Sequence, residues 1–153
     1  LVIAGVLLHD LGKTAELNYQ RSLSYSSAGQ LLGHMVQVLE IVHRKLMALP
    51  DFPRPLQTVL EHLIISHHGK YEFGSPKLPM FPEALLLHQL DDMDSKMQAM
   101  HTQLEQETPA AGAGDISEWT GYNRSLERPL LRVERYLGRG APAGAEKAEG
   151  ASS

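Results

Sequence analysis

The stretch LVIAGVLLHDLGK, residues 1–13, joins an apolar run directly to three ionisable side chains. Residues 1–8 are all apolar or glycine, and we interpret them as the end of a buried helix that breaks near Gly12. His9 and Asp10 follow at once, where burial without a partner would be costly. The sequence therefore predicts that a further group compensates this imidazole and this carboxylate at the end of the helix.

The composition is that of an ordinary globular chain of 153 residues, 42% hydrophobic and 21% charged. A net charge of −4 argues against a strongly basic nucleic-acid surface over the whole chain. The apolar run is far shorter than the ~20 residues of a membrane span, and it lacks the basic flank of a signal peptide. We therefore expect a cytoplasmic protein without a membrane partner. Because the chain begins with Leu1, we also expect its first helix to continue upstream.

Three longer helices are predicted from apolar residues at helical spacing. The first covers residues 29–49, with apolar positions at 31, 35, 38, 39, 42, 46 and 49. The second begins near Pro55 and ends near His68, where Gly69 suits a helix stop. The third begins at Pro82 and reaches residue 107, with an apolar stripe at 86, 90, 93, 97, 100 and 104. The predicted fold class is all-α.

The remaining segments are predicted to be loops or weak structure. Residues 18–28 carry four serines, and residues 70–82 contain a glycine and three prolines, so we expect a loop in each. Part of residues 126–137 is predicted to be helical. From Gly138 onward the chain has no large apolar side chain that could offset its ordering entropy. We therefore predict one domain, residues 1–137, and a disordered tail, residues 138–153.

Imidazoles and carboxylates recur where these helices are apolar. His34 lies inside the stripe of its helix, and His67 lies on the apolar side of the next helix, with His68 beside it. A single histidine of this kind is usually a hydrogen-bonded core residue, and an acidic cluster such as residues 91–94 is usually solvated. Their convergence from four helices, in a chain without cysteine, instead predicts a divalent metal site. Such a cation would compensate Asp10 and fix the imidazoles.

Periodicity alone leaves two carboxylates as the closing member of this set. Asp94 lies nearer the stripe at 86, 90, 93 and 97, whereas Asp91 shares a side of the helix with Ala84 and Leu87. The sequence pattern does not choose between them.

The motif HDLGK at residues 9–13 resembles the signature of the HD-domain metal-dependent phosphohydrolases. SHHGKYEFGSPKLP at residues 66–79, followed by EALLLHQLDDMDSKM at residues 83–97, is similar to the YhaM-type 3′-to-5′ exoribonucleases. The resemblance covers residues 1–131. It implies an all-α HD-domain helical bundle whose N-terminal helix is truncated.

The resemblance also implies which residues form the site. The implied metal ligands are His9, Asp10, His34, His67, His68 and Asp91. Asp91, rather than Asp94, is thus the implied closing aspartate. The implied catalytic residues are Asp10 and Lys13, and the implied substrate-binding residues are Lys13, Lys70, Tyr71, Ser75 and Lys77. The implied cofactors are two divalent metal ions, with manganese first and iron, magnesium, cobalt and zinc as alternatives.

The implied activity is metal-dependent phosphodiester hydrolysis, namely 3′-to-5′ exonuclease action on single-stranded RNA, with DNA as a further substrate. The implied partners also include an upstream OB-type domain and a homo-oligomer. The first histidine of the family pattern should lie upstream of Leu1, so we expect an incomplete metal site and impaired activity in this segment alone. Two alternatives stay open: a phosphohydrolase for a small or cyclic nucleotide, and a non-catalytic HD module that binds a nucleotide or a partner protein.

Overall fold

The computed structural model describes residues 1–18, 23–106 and 117–139, and helices dominate these ranges. The helices are α1 Val2–Leu8, α2 Lys13–Glu16, α3 Ser27–Leu46, α4 Arg54–Ser66, α5 Pro82–Gln106 and α6 Val133–Tyr136, with a 3₁₀ turn at Tyr71–Phe73. Two short strands, β1 Leu17–Asn18 and β2 Ser24–Tyr25, pair antiparallel. The all-α prediction is confirmed. None of the helices in these ranges is long and apolar enough to cross a membrane.

The described residues between α2 and α3 form a short strand pair in place of part of the predicted loop over residues 18–28. Leu17 pairs with Tyr25 and Asn18 with Ser24, while residues 19–22 lie outside the described residues. Ser26 caps α3, because its Oγ accepts a hydrogen bond of 2.9 Å from the backbone N–H of Gly29. The serines that suggested a loop thus include the start signal of a helix.

A glycine interrupts α3 in its second turn. Gly33 has φ +73° and ψ 164°, which is not a helical conformation, so the axis changes direction immediately before His34. Leu31, predicted to lie on the apolar stripe, precedes this break and is 82% exposed. The core side of α3 begins after it: Val38 and Val42 pack with Ile64 of α4, and Leu8 and Leu11 pack against them. In this cluster, the C-terminal ends of α1 and α4 pack against the middle of α3.

Helix α5 begins at Pro82 as predicted, but its buried side is not the predicted stripe. Ala84, Leu87 and His88 are buried, and the first two pack with Leu63 of α4. The predicted stripe is exposed at each of its first four positions, Leu86, Leu90, Met93 and Met97. The predicted helix is thus confirmed, but its apolar stripe is not the side that the core covers.

The chain divides into two compact units, residues 1–94 and residues 95–153. In the second unit, residues 119–131 form isolated antiparallel bridges, Trp119 with Leu131 and Asn123 with Arg128. Only Val133–Tyr136 within residues 126–137 is helical. Residues 140–153 of the predicted tail lie outside the described residues.

Candidate metal centre

Four helical segments bring the six sequence-predicted ligands together in the first unit. His9 and Asp10 follow α1, His34 lies after the break in α3, His67 and His68 follow α4, and Asp91 lies on α5. They form two groups, in each of which one ligand atom per residue lies within 4.8 Å of the others. The groups are His9 with Asp10 and Asp91, and His34 with His67 and His68. Each group could hold a metal ion.

Asp10 stands between the two groups. Its Oδ2 lies 3.4 Å from His9 Nε2 and 2.7 Å from Lys13 Nζ. Its Oδ1 lies 3.6 Å from His34 Nε2 and 3.9 Å from His67 Nε2. That Oδ1 is buried and has no hydrogen-bond partner among the described residues. Because an unpaired buried carboxylate oxygen is costly, this atom and its nitrogen neighbours fit a cation.

Backbone carbonyls orient three of the imidazoles. The Nδ1 of His9 lies 3.0 Å from the carbonyl oxygen of Val6, that of His67 lies 2.5 Å from the oxygen of Ile64, and that of His68 lies 2.7 Å from the oxygen of Phe73. A carbonyl only accepts, so each Nδ1 carries the hydrogen and donates it. In the neutral ring the lone pair is therefore on Nε2. This is the arrangement that presents an imidazole to a metal ion.

Gly69 allows the turn that follows the His67–His68 pair. It has φ +74°, and a Cβ there would overlap the ring of His88. His88 is buried, and its Nδ1 lies 2.9 Å from the carbonyl oxygen of His67, to which it donates. His88 is not among the ligands predicted from the sequence. Its spacing of four residues from the buried Ala84 is the signal that would have placed it inward.

The ionisable groups shift each other's pKa in opposite directions. Hydrogen bonds to Asp10 and then to Asp91 raise the pKa of His9 to about 10. Burial alone would raise the pKa of Asp10, but its hydrogen bonds with His9 and Lys13 hold that pKa far below the usual range. The hydrogen bond from His9 likewise lowers the pKa of Asp91. Without a metal, a protonated His9 thus balances two carboxylates.

Burial acts on the second group in the other direction. It lowers the pKa of His67 to about 4 and also lowers the pKa of His34. Their Nε2 atoms lie 3.4 Å apart, and at this distance two positively charged rings would repel each other. Both rings are therefore neutral near pH 7, which is the form that binds metal ions.

Residues 70–77 form the loop that was predicted to bind substrate. Tyr71 is 62% exposed, Lys77 is exposed, and Lys70 Nζ lies 5.3 Å from the ring centroid of Phe73. Ser75 is buried, and its Oγ lies 3.1 Å from the oxygen of Ile65 and 2.7 Å from that of Lys77. Ser75 thus stabilises the loop from inside, and its role in substrate binding stays a prediction.

Asp91 and Asp94, which periodicity could not separate, have different surroundings. Asp91 Oδ1 lies 3.5 Å from His9 Nε2, whereas Asp94 is exposed. One carboxylate outside the predicted set also reaches the site. Glu16 is buried, and its Oε2 lies 3.5 Å from His34 Nδ1. Nothing in the spacing of its neighbours indicated this, since 18 residues separate it from His34.

Four imidazoles and two carboxylates on and beside packed helices define a class of protein, the helical domains whose nitrogen and oxygen ligands could bind divalent metal ions. A family model described as the HD domain matches residues 1–96 of this chain. The chain belongs to the HD domain family, as the motif at residues 9–13 predicted.

Several curated bacterial proteins are similar to most of this chain. Proteins named 3′-5′ exoribonuclease YhaM are 44% identical over 134 residues in Bacillus subtilis and 41% identical over 134 residues in Bacillus pumilus. One from Listeria innocua is 42% identical over 133 residues. Each match covers 86% of this chain and 41% of the relative, so the chain spans about two fifths of their length. No solved structure matches the chain at a comparable level.

Proposed function

We propose that this chain is the HD-domain part of a metal-dependent exoribonuclease that degrades single-stranded RNA from its 3′ end. The observation that carries the proposal is the pair of ligand groups on either side of Asp10. Two cations about one carboxylate are a recurring arrangement for phosphodiester hydrolysis. The relatives named 3′-5′ exoribonuclease support RNA as the substrate and the 3′ end as the starting point.

In this proposal, His9, Asp10 and Asp91 would hold one cation, and His34, His67 and His68, together with Asp10, would hold the other. Manganese is our first choice, with iron, magnesium, cobalt and zinc as alternatives, because all of them accept imidazole and carboxylate ligands. When bound, such ions supply a hydroxide near neutral pH and charge stabilisation at the phosphate. His9 must lose its proton before its Nε2 can bind a cation, because hydrogen bonds to the two aspartates raise its pKa to about 10.

The remaining residues of the proposal act on the RNA. Lys13 holds Asp10 ionised through its 2.7 Å contact, and its half-exposed side chain would also reach a substrate phosphate bound beside Asp10. The exposed members of the loop, Lys70, Tyr71 and Lys77, lie on the substrate side. Lysines there would contact phosphates, and Tyr71 would stack on a terminal base.

The proposal extends to the whole protein. It includes an upstream OB-type domain that binds the RNA strand, a further histidine ligand upstream of Leu1, and a homo-oligomer. Single-stranded DNA is included as a second substrate. We propose the cytoplasm as the site of action, and residues 1–137 as the extent of the HD domain.

The test uses the full-length protein with Mn²⁺ and single-stranded RNA labelled at its 5′ end. Wild-type protein should give a ladder of shortening labelled products, and Asp10→Ala should leave the RNA intact. Asp94→Ala removes an exposed carboxylate from α5 and should degrade RNA at the wild-type rate. Intact RNA with the wild-type protein would contradict the proposal, and hydrolysis of mononucleotides or cyclic nucleotides would then support the small-substrate alternative.

A further inference from the structure

Glu16 is a buried carboxylate that contacts a proposed ligand on two sides. Its Oε1 accepts a hydrogen bond of 3.1 Å from the backbone N–H of His34, and its Oε2 lies 3.5 Å from Nδ1 of the same residue. Glu16 is 8% exposed, so both oxygens are largely removed from water. A buried carboxylate is retained only when it has strong partners, and here both contacts go to His34.

The backbone of α3 is arranged to receive this carboxylate. Gly33 leaves the helical conformation immediately before His34, so the His34 N–H begins a new helical segment. Glu16 Oε1 is the hydrogen-bond acceptor of that N–H. A negative charge at this position is also favoured by the dipole of the segment that follows.

Two glycines bring α2 close enough to α3 for this contact. A Cβ at Gly12 would overlap the carbonyl oxygen of His34, and a Cβ at Gly29 would overlap that of Glu16 and lie 2.8 Å from its Cα. The backbone of Glu16 is also fixed, because its carbonyl oxygen accepts a hydrogen bond of 2.8 Å from the N–H of Ser26. The backbone that carries this carboxylate is therefore held in place independently of the His34 side chain.

His34 differs from the other three imidazoles in the partner of its Nδ1. Backbone carbonyls accept from Nδ1 of His9, His67 and His68, whereas a carboxylate faces Nδ1 of His34. A carboxylate partner fixes the tautomer and makes the opposite nitrogen a stronger metal ligand than a carbonyl partner does. That opposite nitrogen, Nε2, lies 3.6 Å from Asp10 Oδ1 and 3.4 Å from Nε2 of His67, both of which accept, so in the metal-free protein these two groups compete with Glu16 for the ring hydrogen.

We propose that Glu16 is a positioning residue of the metal site: it holds the hydrogen of His34 on Nδ1 and so keeps the Nε2 lone pair directed at the cation. This inference rests on the proposed function, since it assigns a role in the same site. Glu16 touches neither the cation nor the substrate and acts only through His34.

Glu16→Gln separates this role from a purely structural one. Glutamine keeps the length of the side chain, and its amide oxygen can still accept from the His34 N–H. Its NH₂ group then faces Nδ1, which must accept, so the ring hydrogen moves to Nε2 and blocks the metal-facing lone pair. In the reverse orientation, the NH₂ group of the amide would face the backbone N–H of His34, so that two hydrogen-bond donors would oppose each other. Glu40→Gln removes the same charge from an exposed position on α3 and is the matched control.

The experiment combines two readouts on the full-length protein. Long-range ¹H–¹⁵N NMR of the metal-free protein at pH 7.5 should detect the His34 hydrogen on Nδ1 in the wild type and on Nε2 in Glu16→Gln. Titration with Mn²⁺ followed by electron paramagnetic resonance should give a roughly 10- to 100-fold weaker affinity for Glu16→Gln, with Glu40→Gln unchanged.

Each outcome has a definite meaning. If Glu16→Gln binds Mn²⁺ as tightly as the wild type, Glu16 acts only as an acceptor for the backbone N–H of His34, and the inference is overturned. The wild-type NMR spectrum needs no variant, and a hydrogen on Nε2 of His34 there would overturn the inference even if Glu16→Gln did not fold. A wild-type protein that binds no Mn²⁺ would instead refute the proposed metal site. The tautomer measured in the metal-free wild type would still show whether Glu16 holds the hydrogen of His34 on Nδ1.

Discussion

Replacing Gly12 by alanine tests whether the close approach of α2 to α3 positions His34. Gly12 has φ −62° and ψ −24°, an ordinary right-handed helical conformation that alanine also adopts. In open space this substitution would stabilise the protein by about 0.4–1 kcal/mol, because alanine restricts the unfolded chain. The added Cβ would, however, overlap the carbonyl oxygen of His34 and lie 2.9 Å from its carbonyl carbon. The contact therefore predicts a lower free energy of unfolding for Gly12→Ala, and the unfolded-state effect predicts a higher one.

The contact should be the larger effect, because every atom that the added Cβ meets belongs to the backbone of His34. A flexible side chain could turn away, but relief here needs a displacement of roughly 1 Å between two chain segments, and overpacking of this kind costs about 1–3 kcal/mol. With the midpoints of both ranges, the gain from alanine leaves a net loss of about 1.3 kcal/mol in the free energy of unfolding. The displacement falls on His34 itself, and misplacing a catalytic group by about 1 Å can cost roughly 100-fold in rate.

The assay is urea unfolding of the metal-free protein, together with the rate of RNA shortening in Mn²⁺. Gly5→Ala is the matched control, since Gly5 lies inside α1 and its added Cβ would meet the terminal methyl carbon of Leu87 at 2.9 Å. That contact can relax through one side chain, so we expect a net change below about 1 kcal/mol. Equal or greater stability of Gly12→Ala, together with wild-type activity, would refute the reasoning about this contact.

Three other perturbations test single features of the core and the site. Gln37→Met should raise the free energy of unfolding by about 1 kcal/mol, because both amide atoms of Gln37 are buried without a hydrogen-bond partner among the described residues. A lower free energy of unfolding, measured with urea, would contradict this and show that the amide has a partner. Binding of Mn²⁺ at pH 7.5 should release about one proton, since His9 has a pKa of about 10 and binds a cation only when neutral. Calorimetry in two buffers of different ionisation enthalpy measures this, and no release would contradict it. The metal-free protein should lose roughly 3 kcal/mol of stability between pH 6.5 and pH 4, because burial lowers the pKa of His67 to about 4 and only the unfolded chain binds that proton in this range. A urea midpoint that stayed constant from pH 6.5 to pH 4 would rule this out.

The sequence predicted the helices best where proline or glycine marks a boundary. Pro82 opens α5, and Gly69 follows α4 with the positive φ expected of a helix stop. These residues restrict the backbone locally, so their effect can be read without knowing the neighbours. The predicted ligands also come together, because the HD motif and the later histidines already specified which helix ends had to meet.

The sequence could not predict features that depend on contacts between distant segments. Counting residues identifies which positions share a side of a helix, but not which side another element covers. Helix α5 has apolar residues on two sides, and the side with the longer stripe, including Leu86 and Leu90, is exposed. The contact of Glu16 with His34 spans 18 residues and depends on the break at Gly33, which a helical pattern cannot reveal.

The choice of Asp91 over Asp94 follows from the way α5 packs beside α1. Leu87 approaches Gly5 so closely that a Cβ there would lie 2.9 Å from a terminal methyl carbon of Leu87. One helical turn further along each chain segment, Asp91 follows Leu87 by four residues and His9 follows Gly5 by four residues. Their side chains meet at 3.5 Å. The packing that buries Leu87 therefore also carries Asp91 to His9, and Asp94, on another side of the helix, is left in solvent.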